Sequence, residues 1–154
     1  MLKAFDLFSG IGGFRAGINS ACRGSKDKVS WVGWCDFDKY AQQTYRACFD
    51  TKNEQFISDI TDITGPLSPK SRATKNKIDR IDQNLTDFDL LTAGFPCQAF
   101  SSLGKRKGVR DERGTLFYAI KLILMAKKPK YFILENVSGL KTIDGGKTFD
   151  LIRS

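Results

Sequence analysis

Ala4-Phe5-Asp6-Leu7-Phe8-Ser9-Gly10-Ile11-Gly12-Gly13-Phe14-Arg15-Ala16-Gly17 begins as a short, mostly apolar run. It passes through a glycine-rich turn into residues that can form a helix to about Cys22. The pattern reads as buried strand, tight turn, helix. Glycines at such a turn let a ligand approach the backbone, beside the unpaired N–H groups of a helix N-terminus. The spacing is not the full Gly-x-Gly-x-x-Gly pattern, so NAD is not the natural ligand.

The same unit recurs outward along the chain. Val29 to Cys35 is a second strand, ending in Asp36-Phe37-Asp38 ahead of a helix from about Lys39 to Cys48. An acid just after the second strand is what ribose hydroxyls need in a dinucleotide-type fold. Asp36 lies nearer the strand end, and Asp38 has the position of a helix N-cap. Phe37 either stacks on a flat base or packs in the core. Phe56 to Ile60 is a short third strand with Asp59 at its end, and Asp62 to Leu67 turns the chain. Residues 68–86 are polar and basic, with one short helix around Lys75 to Gln83. Asp87 to Ala93 is the fourth strand, Thr115 to Lys128 has helical spacing, and Tyr131 to Leu134 is a strongly apolar fifth strand running into Glu135-Asn136-Val137. A turn at Asp144-Gly145-Gly146 and the start of a helix at Thr148 follow.

Strand and helix alternate throughout. That predicts an α/β fold with a doubly wound, mostly parallel sheet and helices on both faces, as a single domain over residues 1–154. In such a sheet the C-terminal strand ends share one edge. That edge is predicted to carry the glycine turn, Asp36, Asp59, Cys97 and Glu135.

Cys97 stands in Gly94-Phe95-Pro96-Cys97-Gln98-Ala99-Phe100-Ser101, past the end of the fourth strand. Pro96 fixes its own φ and restricts Phe95 to extended geometry, which aims the thiol. On position alone Cys97 is either a nucleophile or a small buried hydrophobe. A cationic loop follows, Gly104-Lys105-Arg106-Lys107-Gly108-Val109-Arg110-Asp111-Glu112-Arg113-Gly114.

Composition narrows the function. The 154 residues are 41% hydrophobic and 27% charged, the proportions of an ordinary globular protein. No apolar run approaches the ~20 residues of a membrane span. The N-terminus lacks the layout of a signal peptide, so the expected location is the cytoplasm, with no membrane association. Four cysteines without Cys-x-x-Cys spacing, and no histidine, argue against a zinc site; no metal is expected. With histidine absent, acid–base work falls to carboxylates, lysine, tyrosine or the thiol. The net charge of +8, clustered in Lys70 to Lys77 and in the loop after Cys97, favours a polyanionic partner, nucleic acid first.

Three segments, Asp6 to Phe14, Gly94 to Ser101 and Glu135-Asn136-Val137, with Arg113-Gly114-Thr115-Leu116-Phe117 between them, resemble the ordered signature of the cytosine-5 DNA methyltransferases. The resemblance implies a Rossmann-like, S-adenosylmethionine-dependent methyltransferase fold acting on double-stranded DNA, in a bacterial restriction–modification setting. By it, Phe8, Gly10, Ile11, Gly12, Gly13 and Pro96 would line the cofactor. Asp36 would hold the ribose hydroxyls, where the family usually has glutamate. Phe37 and Ile60 would flank the adenine and Asp59 would accept from its amino group. Cys97 would be the nucleophile, adding to cytosine C6. Glu135 would bind the N3 and amino edge of the base, with Asn136 beside it. Gln98, Ser101, Lys105, Arg106, Lys107 and Arg113 would contact DNA.

The resemblance covers only the N-terminal part of the family's catalytic domain. The later arginine-bearing motif, the target-recognition region and the C-terminal segment that completes the cofactor pocket have no counterpart here. Two alternatives follow: a cofactor-binding subunit or fragment inactive until a second polypeptide completes the site, and a tRNA cytosine-5 methyltransferase.

Overall fold

The computed structural model describes residues 1–66, 73–95 and 116–153. Five strands form one sheet: β1 (Leu2–Leu7), β2 (Val29–Cys35), β3 (Gln55–Ile57), β4 (Leu90–Gly94) and β5 (Tyr131–Glu135). Their order is β3-β2-β1-β4-β5, and every neighbouring pair is parallel. The helices are α1 (Gly13–Ala21), α2 (Lys39–Cys48), α3 (Thr61–Thr64), α4 (Lys75–Asn84), α5 (Leu116–Lys127) and α6 (Lys147–Arg153). Two 3₁₀ turns, Ser138–Lys141 and Ile143–Gly146, lead from β5 into α6. The alternating pattern is therefore a doubly wound parallel sheet.

Period-two alternation in β1 sorts its side chains onto two faces. Phe5 and Leu7 join Leu91 and Ala93 in the main core, covered by Ile81 of α4 and by Phe117, Ile120 and Ile123 of α5. Ala4 turns the other way, onto Trp31 and Leu90 under Ile18 of α1. The β1–β2 register slips between Ala4 and Phe5, so that Ala4 pairs with Trp31 but Phe5 with Gly33. This bulge at Val32 has a packing consequence. Trp31 and Trp34, three apart, would face opposite sides of a regular strand. Here Trp31 packs under α1 and Trp34 stacks on Tyr45 of α2, ring centroids 4.5 Å apart. Gly33 is required beside them, because a methyl group there would collide with the Phe5 ring.

Boundaries shift modestly from the sequence reading. β3 ends at Ile57, so Asp59 and Ile60 lie beyond the strand, at the entry to α3. The sequence reading assigned that stretch to strand and the next residues to a turn. β5 holds the edge of the sheet among the described residues. Its apolar Tyr131, Phe132 and Ile133 are 59%, 57% and 45% exposed. No helix among the described residues is long and apolar enough to cross a membrane.

Candidate functional site

Strand order reverses between β1 and β4, and a crevice opens at the carboxyl ends of strands where the order reverses. The turn after β1 lines that crevice. Phe8, the first residue after the strand, has φ +53°, Gly10 has φ +55° and Gly12 has φ +91°. Positive φ is routine for glycine and strained for phenylalanine. The turn is pinned by the Ser9 N–H donating to the Cys35 carbonyl at 3.0 Å and by the Gly12 N–H donating to the Ser9 carbonyl at 2.9 Å. Gly12 admits no side chain, because a methyl group would run into the Phe49 ring and lie 3.2 Å from Cδ2 of Tyr45. At Gly10 and Gly13 a methyl group would meet no described residue within 4 Å, so those backbone atoms face open space among the described residues.

A cavity of about 590 Å³ sits over this turn, walled by Phe8, Ser9, Ile11, Gly13 and Phe14 on one side and by Gly94 and Glu135 on the other. Glu135 pairs in register with Gly94, and its Oε2 lies 3.4 Å from where a Gly94 methyl would stand. The ends of β4 and β5 thus bring the strand-end acid against the glycine turn. Ser9 lay within the quoted turn but was not singled out as a site residue. It is buried there, and its Oγ has no hydrogen-bond partner among the described residues. Only the fold could identify it, because the sequence gives no burial for a serine in a turn.

Asp36 is 9% exposed and bonds to the backbone on both sides. Its Oδ2 accepts from the Gly10 N–H at 2.6 Å and its Oδ1 from the Asp38 N–H at 2.8 Å. It therefore ties the end of β2 directly to the glycine turn. Asp38 caps α2, accepting from the Tyr40 and Ala41 N–H groups. Phe37 is 79% exposed and borders a second hollow of about 530 Å³ with Tyr40, Gln42 and Ser58. Of the two readings of Phe37, core packing is thereby excluded. Asp59 accepts the Thr61 N–H and hydroxyl on one oxygen, at 2.8 and 2.7 Å. Ile60 is buried in the main core.

Asn136 donates from Nδ2 to the Phe95 carbonyl at 3.3 Å, so it joins the end of β5 to the segment leaving β4. Pro96, Cys97, Gln98, Ser101, Lys105, Arg106, Lys107 and Arg113 lie outside the described residues.

Beneath the turn, Asp6 is fully buried, with Oδ1 accepting from the Thr92 hydroxyl at 2.6 Å and Oδ2 from the Tyr45 hydroxyl at 3.4 Å. Burial raises its pKa to about 7; the Thr92 and Tyr45 hydrogen bonds and the nearby Arg15 pull the other way, and Asp36 adds to the rise.

The chain matches the family model described as C-5 cytosine-specific DNA methylase over residues 2–154. It is 45% identical over 152 residues to the Type II methyltransferase M.HgiCI of Herpetosiphon aurantiacus, covering 99% of this chain and 31% of that protein. It is 44% identical over 152 residues to the Type II methyltransferase M.NlaX of Neisseria lactamica, covering 99% of this chain and 41% of that protein. Among solved structures it resembles the S. pombe Dnmt2 methyltransferase, with a TM-score of 0.61 and 25% identity, covering 99% of this chain and 41% of that one. The chain spans well under half the length of these curated relatives.

Proposed function

The chain belongs to the C-5 cytosine-specific DNA methylase family, and from that premise we propose that it carries the cofactor-binding and nucleophile-bearing part of a DNA (cytosine-5-)-methyltransferase of a restriction–modification system. The observation that carries the reading is the single cavity in which the glycine turn meets Glu135 at the switch point of the sheet. S-adenosylmethionine, when bound, supplies the methyl group.

The residues fit that group. Ser9 brings a buried hydroxyl without a partner among the described residues, Gly10 and Gly13 leave backbone open to close approach, and Asp36 is held against the turn. Phe8, Ile11 and Gly12 shape the same wall. Exposed Phe37 supplies a face for the adenine ring, Asp59 an acceptor for its amino group, and Ile60 the floor behind them. Pro96, with its fixed φ, would belong to the same lining.

In the proposed reaction the Cys97 thiolate forms a bond to cytosine C6, and the C5–C6 electron pair moves onto C5. Glu135 holds the N3 edge of the base and donates a proton to it as this charge builds. C5 takes up the methyl group that S-adenosylmethionine, held over Phe8, Ser9 and the Gly10 to Gly13 backbone, would supply. Loss of the C5 proton to a base restores the C5–C6 double bond and expels the thiolate, and the N3 proton returns to Glu135. Cysteine suits this role because it both attacks and leaves readily. Asn136 holds the Phe95 carbonyl, two residues before Cys97 in the sequence, and so ties the end of β5 to the chain entering the cysteine motif. The target base leaves the duplex to be reached. Gln98 and Ser101 then contact the DNA around it, while Lys105, Arg106, Lys107 and Arg113 contact phosphates.

Covalent trapping tests this. The chain is mixed with S-adenosylmethionine and a duplex carrying 5-fluorocytosine, and intact mass is read. Fluorine at C5 cannot leave as a proton, so the adduct persists. The expected result is a mass increase of one DNA strand or duplex that is absent in Cys97→Ser. The same increase in Cys97→Ser would refute the nucleophile. A tRNA bearing 5-fluorocytosine, run in parallel, separates a DNA from an RNA substrate.

The exposed β5 edge supports a second reading, in which a further polypeptide completes the site. In that case the adduct forms only when the C-terminal half is supplied.

A further inference from the structure

A connected set of polar groups lies under the glycine turn, and no step above uses it. Asp6 on β1 reaches Thr92 on β4 and Tyr45 on α2. The Tyr45 hydroxyl in turn accepts from Nη1 of Arg15 on α1 at 3.4 Å. Arg15 forks onto Glu54, just before β3, through two bonds of 2.7 Å, and donates to the Asp50 carbonyl at 3.2 Å. Its guanidinium lies 5.4 Å from the Trp31 and Tyr45 ring centres and 4.7 Å from that of Phe49. Tyr45 and Phe49 are the side chains against which Gly12 is seated. The seat of the turn and the polar network therefore share one residue, Tyr45.

We propose that Asp6 and Tyr45 are positioning residues for the Ser9–Gly13 turn: ionised Asp6 holds the Tyr45 hydroxyl, and the Tyr45 ring so held fixes where Gly12 sits. The inference rests on the turn being the cofactor site. The charged and titratable groups around Asp6 are Tyr45 from α2, Arg15 from α1 and Asp36 from the end of β2, with the neutral Thr92 facing it from β4. Glu54 acts on it only through Arg15. Because the Asp6 carboxyl titrates at about 7, this contact changes within ordinary working pH. Protonation removes the charge that Tyr45 serves and weakens the ring's anchor on the β1 side. A cation in the cavity favours the ionised form, so a sulfonium ligand binds more tightly above the midpoint than below it.

The experiment is a ¹⁵N–¹H titration of the full chain from about pH 5.5 to 8.5, following the Gly12 and Gly13 amides. In the wild type both are expected to shift with a midpoint near 7. In Asp6→Asn they are expected to stay flat, and in Tyr45→Phe to lose most of their amplitude. Thr92→Val, which removes the other partner of the carboxyl, is expected to move the midpoint upward, and it serves if Asp6→Asn fails to fold. A flat wild-type profile, or an unchanged profile in Asp6→Asn, overturns the proposal. Full amplitude in Tyr45→Phe overturns the role of its hydroxyl.

Calorimetry with S-adenosylmethionine is the second arm. Wild-type affinity is expected to rise several-fold between about pH 6 and 8, beyond any rise seen in Asp6→Asn, which reports the ligand's own amino group. Equal rises in the two proteins overturn the coupling to ligand. A normal glycine titration with no binding at any pH supports the network and counts against the turn holding the cofactor in this chain by itself.

Discussion

Gly12 and Gly13 are adjacent, yet the structure gives them different sensitivities. Gly12 combines left-handed backbone with a neighbour that leaves no room for a methyl group. Gly12→Ala is therefore expected to lower stability by about 1–3 kcal/mol, read from urea melts. Gly13→Ala, which meets no described residue within 4 Å, should stay within about 0.5 kcal/mol. Its effect on ligand binding then reports close approach to the backbone alone. Asp6 makes a prediction in pH. Its folded pKa, about 7, lies above the ordinary 3.8, so between those values the folded state holds a proton that the unfolded state has released. Stability falls as pH rises through that window and levels off above it. Asp6→Asn has no such group. Its stability relative to wild type should climb from about pH 4 to 7, by up to about 1.4 kcal/mol per unit, and then stay constant. Parallel melts at pH 4, 5.5, 7 and 8 read it, and a constant difference across the series would refute the assignment. At this scale the sequence located Asp36 at a strand end and Asp38 as a cap, because both depend on local register. It could not disclose the Asp36–Gly10 bond or the Ser9 hydroxyl, which arise from chain segments that meet only on folding.

Elements are locked together by a few buried charges. Arg15 and Glu54 have side chains 8% and 7% exposed and join α1 to the segment entering β3. Removing one member leaves the other charge buried and unpaired, so Glu54→Ala is expected to cost about 3–5 kcal/mol. Arg15→Met with Glu54→Leu should recover much of that loss, and a double-mutant cycle by denaturant melts measures the coupling. An additive double mutant would show that the pair holds nothing together. On the opposite face, the Lys127 ammonium of α5 bonds the Asp82 carbonyl at 2.7 Å and the Asp87 carboxylate at 2.7 Å, fastening α5 to the end of α4. The bounds of β2 and α2 were legible, since each is a clear periodic run with a cap or turn at its end. The bulge at Val32 was not. One extra residue changes which way the tryptophans point without altering the apolar composition that marks a strand.

The whole molecule is a sheet covered unevenly. α4 and α5 close one face over β1 and β4, while β5 leaves apolar side chains in solvent and offers an unpaired edge among the described residues. Exposed, apolar edge strands recruit other chains. The isolated chain is expected to self-associate at tens of micromolar, and Ile133→Lys should raise the monomer fraction in sedimentation velocity with little change in stability. A wild-type chain that stays monomeric at those concentrations would count against that account of the edge. By itself the sequence determined the alternation of strand and helix, the parallel sheet and the family signature, because hydrophobic period and turn residues are local properties of the chain. Only the tertiary structure decided the strand order, the meeting of the glycine turn with Glu135 across the switch point, the buried Asp6–Tyr45–Arg15 network and the exposure of β5. Each of these is a contact between residues 22 or more positions apart or a matter of burial, and pairings of that range are set by packing rather than by the residues' own neighbours.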